Sequence, residues 1–494
     1  MNYNSTRNNG VKVSSAKAIS LGISADGGLF LPSEIPALSD ADVKAMCASD
    51  YKGRAKIVLS KYLTDFTEEE ISYCVEGAYS GSFDNEQPAP IYDLGDGIGV
   101  LELWHGPTCA FKDLALQILP YLLTTSAKKI NAGKIVILVA TSGDTGKAAL
   151  EGFRDVENTD IIVFYPSEGV SSMQKLQMDS QEGENVCVCA IKGNFDDAQS
   201  RVKEIFTDPD MNKLLADNGL AFSSANSINW GRLVPQIVYY VSAYCDMLNK
   251  GVDMSQGFNV TVPTGNFGNI LAAYYAKEMG VPIKKLICAS NQNNVLTDFI
   301  NSGVYDRNRD FYTTMSPSMD ILISSNLERM IYILSNGDDS LVADWQNSLK
   351  ATGRFEVTDE VKAKINELFF GGCCDDEKTL ATIKETYEKY GYLLDTHTAV
   401  AMAVYNDYRE KTGDTAPAVI ASTASPYKFA DSVLKALDIT LPSDDFERLE
   451  KLSTATNTAI PAPIKGLRGK TRRFGTVIDK DDMRRAVCEY LSIR

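Results

Sequence analysis

Four short apolar runs in this chain stop abruptly at glycine, proline, serine or threonine and give way to helical patterns. Residues 134–140 end at Thr141-Ser142-Gly143, 161–165 at Pro166-Ser167, 259–262 at Pro263-Thr264-Gly265, and 418–421 at Ser422-Thr423. Runs this apolar and β-branched, alternating with helices predicted over 147–155 and 270–279, indicate parallel strands buried on both faces. The expected class is α/β, with two open, mostly parallel sheets. In open α/β sheets ligands bind beyond the carboxyl ends of the strands, so function is to be sought in the polar clusters that follow these runs.

The 494 residues suffice for two to four lobes. Acidic helices around 40–80 and a loop-rich stretch from Gly81 to Gly99 predict an N-terminal lobe over 1–95. A core over 96–440 follows, with a small lobe at about 134–225 and charged helical segments over 300–415. An extension over 441–494 turns from acidic to basic. A net charge of -16 argues against nucleic acid or an anionic membrane as partner. With two histidines and ten cysteines, Cys373 and Cys374 adjacent and Cys187 and Cys189 one residue apart, no metal-site or disulfide framework emerges. Reduced cysteines, no membrane-length apolar run and no signal-peptide core predict a cytoplasmic protein.

Five clusters could carry chemistry. In His105-Gly-Pro-Thr-Cys-Ala-Phe-Lys-Asp113, Lys112 stands between Phe111 and the apolar start of a helix. It is either a snorkelling surface lysine or one desolvated enough to be a nucleophilic amine. The turn from Thr141 to Lys147 is an ordinary strand-to-helix turn or a small anion pocket. It is no P-loop, because Thr141 stands where the first glycine is required and Ala148 where Ser/Thr is required. Thr264-Gly-Asn-Phe-Gly-Asn269 reads as a tight turn or a phosphate cup. Ser224-Ala-Asn-Ser-Ile-Asn-Trp-Gly-Arg232 is a helix cap with a solvated arginine or a second oxyanion site. Ser422 to Phe429 is a hydroxyl-rich turn that could also offer a neutral donor to a ring nitrogen.

Together with Tyr3-Asn-Ser-Thr-Arg7 and Asp26-Gly-Gly-Leu-Phe30, these segments resemble, in order and spacing, the longer members of the threonine synthase family. That family comprises pyridoxal-phosphate enzymes of the tryptophan-synthase-β-like fold, fold type II. The resemblance implies that Lys112 forms the Schiff base with pyridoxal 5'-phosphate and acts as the catalytic base. It implies that Gly265, Asn266, Phe267, Gly268 and Asn269 bind the cofactor phosphate, and that Thr423 faces the pyridine nitrogen. Asn226 and Arg232 would anchor the substrate phosphate. The turn of Ser142, Gly143, Asp144, Thr145 and Gly146 would receive the substrate carboxylate, with Lys147 nearby. The implied substrate is O-phospho-L-homoserine, the product L-threonine, and the working form a monomer or homodimer. Some longer relatives carry histidine where this chain has Ser425, so that position is given no proton-transfer role.

Overall fold

The computed structural model describes residues 1–141, 143–168, 170 and 172–493. Two parallel sheets organise the chain. The larger runs in the order Phe369–Cys373, Ile283–Ser290, Phe258–Pro263, Ala418–Ser422, Ile98–Glu102 and Ile91–Gly95, with only the last strand antiparallel. The smaller is parallel throughout, in the order Val477–Asp479, Val186–Lys192, Thr159–Pro166, Lys134–Ala140 and Leu220–Ser223. The four apolar runs are interior strands of these sheets. Their near-complete burial reflects helices on both faces, which is why they read as continuous rather than alternating patterns.

Other strands left weaker traces in the sequence. Ile91–Gly95 and Ile98–Glu102 lie in the stretch that reads as a boundary loop. They form a hairpin whose turn places Gly95, Asp96 and Gly97 at positive φ. In Ile283–Ser290 two lysines interrupt the apolar run, and Phe369–Cys373 carries two glycines. The C-terminal segment does not stand apart. Val477–Asp479 adds an edge strand beside Val186–Lys192, and helix Met483–Leu491 buries Met483 and Val487 against the smaller sheet.

The N-terminal lobe pairs a three-stranded antiparallel sheet (Asn8–Val13, Tyr3–Ser5, Phe30–Pro32) with helices that include Tyr51–Tyr62 and Glu68–Tyr79. It is fixed to the 20-residue helix Trp230–Asn249, which runs through the middle of the molecule. The Trp230 ring meets Tyr3, Tyr62 and Tyr275 at centroid distances of 5.5, 5.6 and 5.4 Å. Each buried aromatic contact of this kind contributes about 0.5–1.5 kcal/mol beyond its area. Buried Arg54 reaches Asp246 on the same helix at 2.6 Å.

The family-like N-terminal motifs have structural roles here. A Cβ at Gly28 would lie 2.2 Å from Ser5 Oγ, so only glycine fits. Thr6 and Arg7 both donate to buried Glu328, Arg7 through two bonds of 2.8 and 2.7 Å. The residue after Glu328, Arg329, is fully buried and donates to Phe30 O, Asn326 Oδ1 and Ile228 O. The short helix Leu327–Leu334 thereby ties the N-terminal sheet to the loop of Ile228, and Asn326, its N-cap, reaches the loop of Asn266.

Candidate active site

Strand register brings the site together. Val260 pairs with Val419 and Thr261 with Ile420, so the strands ending at Pro263 and Ser422 deliver Thr264–Asn269 and Thr423 side by side. The segment carrying Lys112 is sewn to the second of these ends: Phe111 N donates to Thr423 O at 2.9 Å, Ser425 N to Cys109 O at 3.1 Å, and Ala110 bridges Ala424. Lys112 and Thr423 are therefore neighbours by main-chain geometry, whatever their side chains do.

The Lys112 side chain is 11% exposed. Its Nζ donates to Ser318 Oγ at 3.3 Å, lies 3.8 Å from Asp144 Oδ2 and sits 5.0 Å from the Phe111 ring centroid. Burial drives its pKa below the usual lysine range. Asp144 opposes that change, while Lys428 and Arg232 add to it. Of the two sequence-based alternatives for this residue, the geometry is that of a desolvated amine.

Asp144 is the electrostatic hub. Its carboxylate is buried, 2.8 Å from Lys428 Nζ. Burial pushes its pKa up, yet Lys428 and Lys112 outweigh burial and hold it well below the ordinary carboxylate range. Lys428 also donates to Thr108 O at 2.9 Å. Burial lowers Lys428, but Asp144 more than offsets this and leaves it raised. Lys428 was not singled out in the sequence; its place in the Ser422–Phe429 turn was the available clue.

Two of the predicted ligand loops carry buried donors without partners among the described residues. Helix Gly268–Glu278 starts after Phe267, which is at φ 61° and gives no side-chain cap, so its first amides remain available. Asn269 accepts the Tyr240 hydroxyl at Oδ1, while its buried Nδ2 has no partner among the described residues. Gly265 is required by a close approach, since a Cβ there would lie 2.7 Å from Ser318 O. Asn266 is exposed and accepts from Asn326 at its carbonyl. In the other segment, Arg232 is buried in the first turn of helix Trp230–Asn249. One nitrogen donates to Ala225 O, Nε is unpartnered among the described residues, and burial pulls the guanidinium down to about 10. Asn226 is half-buried, its amide bonded to Ser224 Oγ.

Not every predicted residue converges. Gly143, at φ 153°, precedes helix Asp144–Phe153, whose first turn contains Thr145 and Gly146. Gly146 N donates to Thr141 Oγ1. Ser142 lies outside the described residues. Lys147 turns away to Glu151 and Gln181, at 3.0 and 2.5 Å. Ser425 is buried and caps the turn before Tyr427. Ser318 and the buried pair His397–Asp395 were missed, because they lie in a region that reads as charged helices.

Asp113 gives a pH signature. Burial raises its carboxyl to about 6, although Thr108 donates to it from both N–H and Oγ. The folded state thus holds a proton that the unfolded chain releases near pH 4, and stability falls as pH rises between these values. In Asp113→Asn that slope disappears. Unfolding free energies from urea titrations at pH 5 and 7 should differ by roughly 1 kcal/mol less than in the wild type. An unchanged difference would show that Asp113 is ionised throughout.

The chain is similar along most of its length to known proteins. Family models described as threonine synthase N terminus, pyridoxal-phosphate dependent enzyme, and threonine synthase C-terminal match residues 2–79, 90–361 and 398–487. The human protein named threonine synthase-like 1 is 42% identical over 86% of the chain, which spans only 58% of that relative's length. Threonine synthase of Pseudomonas aeruginosa is 37% identical, covering 92% of this chain and 96% of that protein. The crystal structure of pyridoxal-phosphate-bound threonine synthase from Brucella melitensis superposes with a TM-score of 0.88 at 35% identity over 99% of both chains. With these matches running from the N-terminal sheet to the C-terminal helix, the chain belongs to the threonine synthase family of pyridoxal-phosphate-dependent enzymes.

Proposed function

We propose that this protein converts O-phospho-L-homoserine and water to L-threonine and phosphate, using pyridoxal 5'-phosphate. The observation that supports the reading is a desolvated amine, Lys112, together with two buried donors in separate loops, Asn269 Nδ2 and Arg232 Nε, that have no partner among the described residues. A cofactor phosphate and a substrate phosphate require two separate sites. The amides of Gly265–Asn269 and the Asn269 carboxamide would hold the first, and Arg232 with Asn226 the second. When bound, the cofactor supplies an electron sink for the bonds at the substrate α-carbon.

The chain's own residues account for the rest. Lys112 Nζ takes and returns protons at the substrate carbons, and burial lowers its pKa, which favours the free amine relative to a solvated lysine. The neutral Thr423 hydroxyl would contact the ring nitrogen without fixing a proton on it. Asp144 lies in the turn assigned to the substrate carboxylate, and Lys428 neutralises it, so the turn amides can accept an anion. Arg232 offsets charge on the departing phosphate. All ten cysteines are unpaired, in keeping with a reducing, cytoplasmic setting, and the working unit is a monomer or homodimer. Among the described residues, no helix is long and apolar enough to cross a membrane.

A substrate panel tests the proposal. Holoenzyme should turn over O-phosphohomoserine and leave serine and threonine essentially untouched, because neither brings a phosphate to Arg232. Preferential deamination of serine or threonine would replace the proposal with a dehydratase. The same amine and buried donors would equally serve a second reading, a phospho-lyase that eliminates phosphate without making threonine, and a ketoacid product would identify it.

A further inference from the structure

A second polar assembly reaches Lys112 from the far side of the site. Ser318, in the loop between the Val304–Asp306 strand and the Leu327–Leu334 helix, accepts the Lys112 Nζ hydrogen at its hydroxyl, 3.3 Å away. The loop is framed by Asn291, whose Nδ2 donates to Thr314 Oγ1 at 2.8 Å and to Asp320 Oδ1 at 2.7 Å. Ser318 is exposed, but its main chain is held on both sides: its N–H donates to His397 Nε2, and its carbonyl lies 2.7 Å from where a Cβ on Gly265 would stand.

The contact with His397 fixes a tautomer. Ser318 N can only donate, so His397 Nε2, 3.1 Å away, must be the bare acceptor. The proton is then on Nδ1, donated to Asp395 Oδ1 at 2.9 Å. Asp395 also accepts from the amides of His397 and Thr398 and from the Thr398 hydroxyl, so both of its oxygens are engaged as acceptors. His397 and Asp395 are 2% and 1% exposed, and the imidazole packs edge-on against Phe429, the residue after Lys428. A buried neutral histidine aligned in this way has one visible output, the position of Ser318.

Resting on the function proposed above, we infer that Ser318 is a further catalytic residue and that His397 and Asp395 are positioning residues acting through it. One Nζ hydrogen of Lys112 is donated to Ser318 Oγ, which leaves the nitrogen lone pair directed at the substrate. The proton lost by the α-carbon goes to that lone pair and returns from it; none passes to Ser318. The hydroxyl also favours the protonated form of Lys112, because it accepts from the ammonium.

The test uses the cofactor-loaded enzyme and the variants Ser318→Ala, Ser318→Thr, His397→Ala and His397→Gln, the last returning an acceptor near Nε2. Ser318→Ala is expected to lower kcat about 10- to 100-fold with KM within about twofold of wild type. It should also move the pH midpoint of the bound cofactor's visible absorbance down by about half a pH unit or more. Ser318→Thr should recover most of both, and His397→Gln more than His397→Ala. A Ser318→Ala enzyme with wild-type kcat and an unmoved midpoint overturns the inference, as does equal loss in both His397 variants. If wild type makes no threonine, the functional reading fails, while the absorbance midpoint still judges the role of Ser318.

Discussion

Lys112→Ala should fold with a melting temperature close to that of wild type and lose turnover by about 10⁴-fold or more. The structure separates the two effects. Among the described residues the Lys112 amine makes one hydrogen bond and a loose 3.8 Å ion pair, so its removal sacrifices little native energy. Burial works against its charge in any case. The variant should bind cofactor through the phosphate loop alone and lack the visible absorbance of the covalently attached form. Retention of that absorbance together with activity would remove Lys112 from the centre of the site.

Lys428→Met should be costly in a different way. It strands Asp144, whose 2.8 Å partner is lost, in a buried site where Lys112 is the remaining close cation. Removing one member of a buried pair costs about 3–5 kcal/mol, and Thr108 O loses a donor as well. The double variant Asp144→Asn/Lys428→Met should recover much of that loss, since neither charge is then left alone. The single variant also acts on chemistry. Lys428 lowers the Lys112 pKa and Asp144 raises it. Loss of Lys428 therefore moves Lys112 upward and leaves less free amine at neutral pH. Covalent uptake of pyridoxal phosphate by the apoprotein should slow accordingly, about tenfold for each pH unit by which the amine's titration midpoint rises. Uptake at the wild-type rate, or a single variant as stable as the double, would contradict the hub described for Asp144.

The parts of the molecule legible in the sequence are those that one physical constraint dictates. Strands buried on both faces must be apolar along their whole length, so 134–140, 161–165, 259–262 and 418–421 stand out, and the candidate site lies beyond the carboxyl ends of the first, third and fourth. Lys112 and the glycine loop 265–268 are each ambiguous alone, a snorkelling lysine and a tight turn, and take on roles only through the resemblance carried by the whole set of motifs. Ile91–Gly95 hid behind its turn residues, and Phe369–Cys373 behind its glycines. Val477–Asp479 is three residues long and draws its identity from the sheet it joins. The second layer of the site was illegible for another reason. Ser318, His397 and Lys428 lie hundreds of residues along the chain from Lys112 and meet its site only through tertiary packing, and no local pattern reports such contacts. Asp144 shows the same limit: its position in a predicted anion turn was readable, but its neutralisation by Lys428 was not.

The most direct test of the whole account is the stoichiometry of products when purified, cofactor-loaded protein is given O-phospho-L-homoserine. Phosphate and L-threonine appearing in equal amounts is the predicted result. Phosphate accompanied by a ketoacid in place of threonine would contradict the account and assign the same site to phosphate elimination alone.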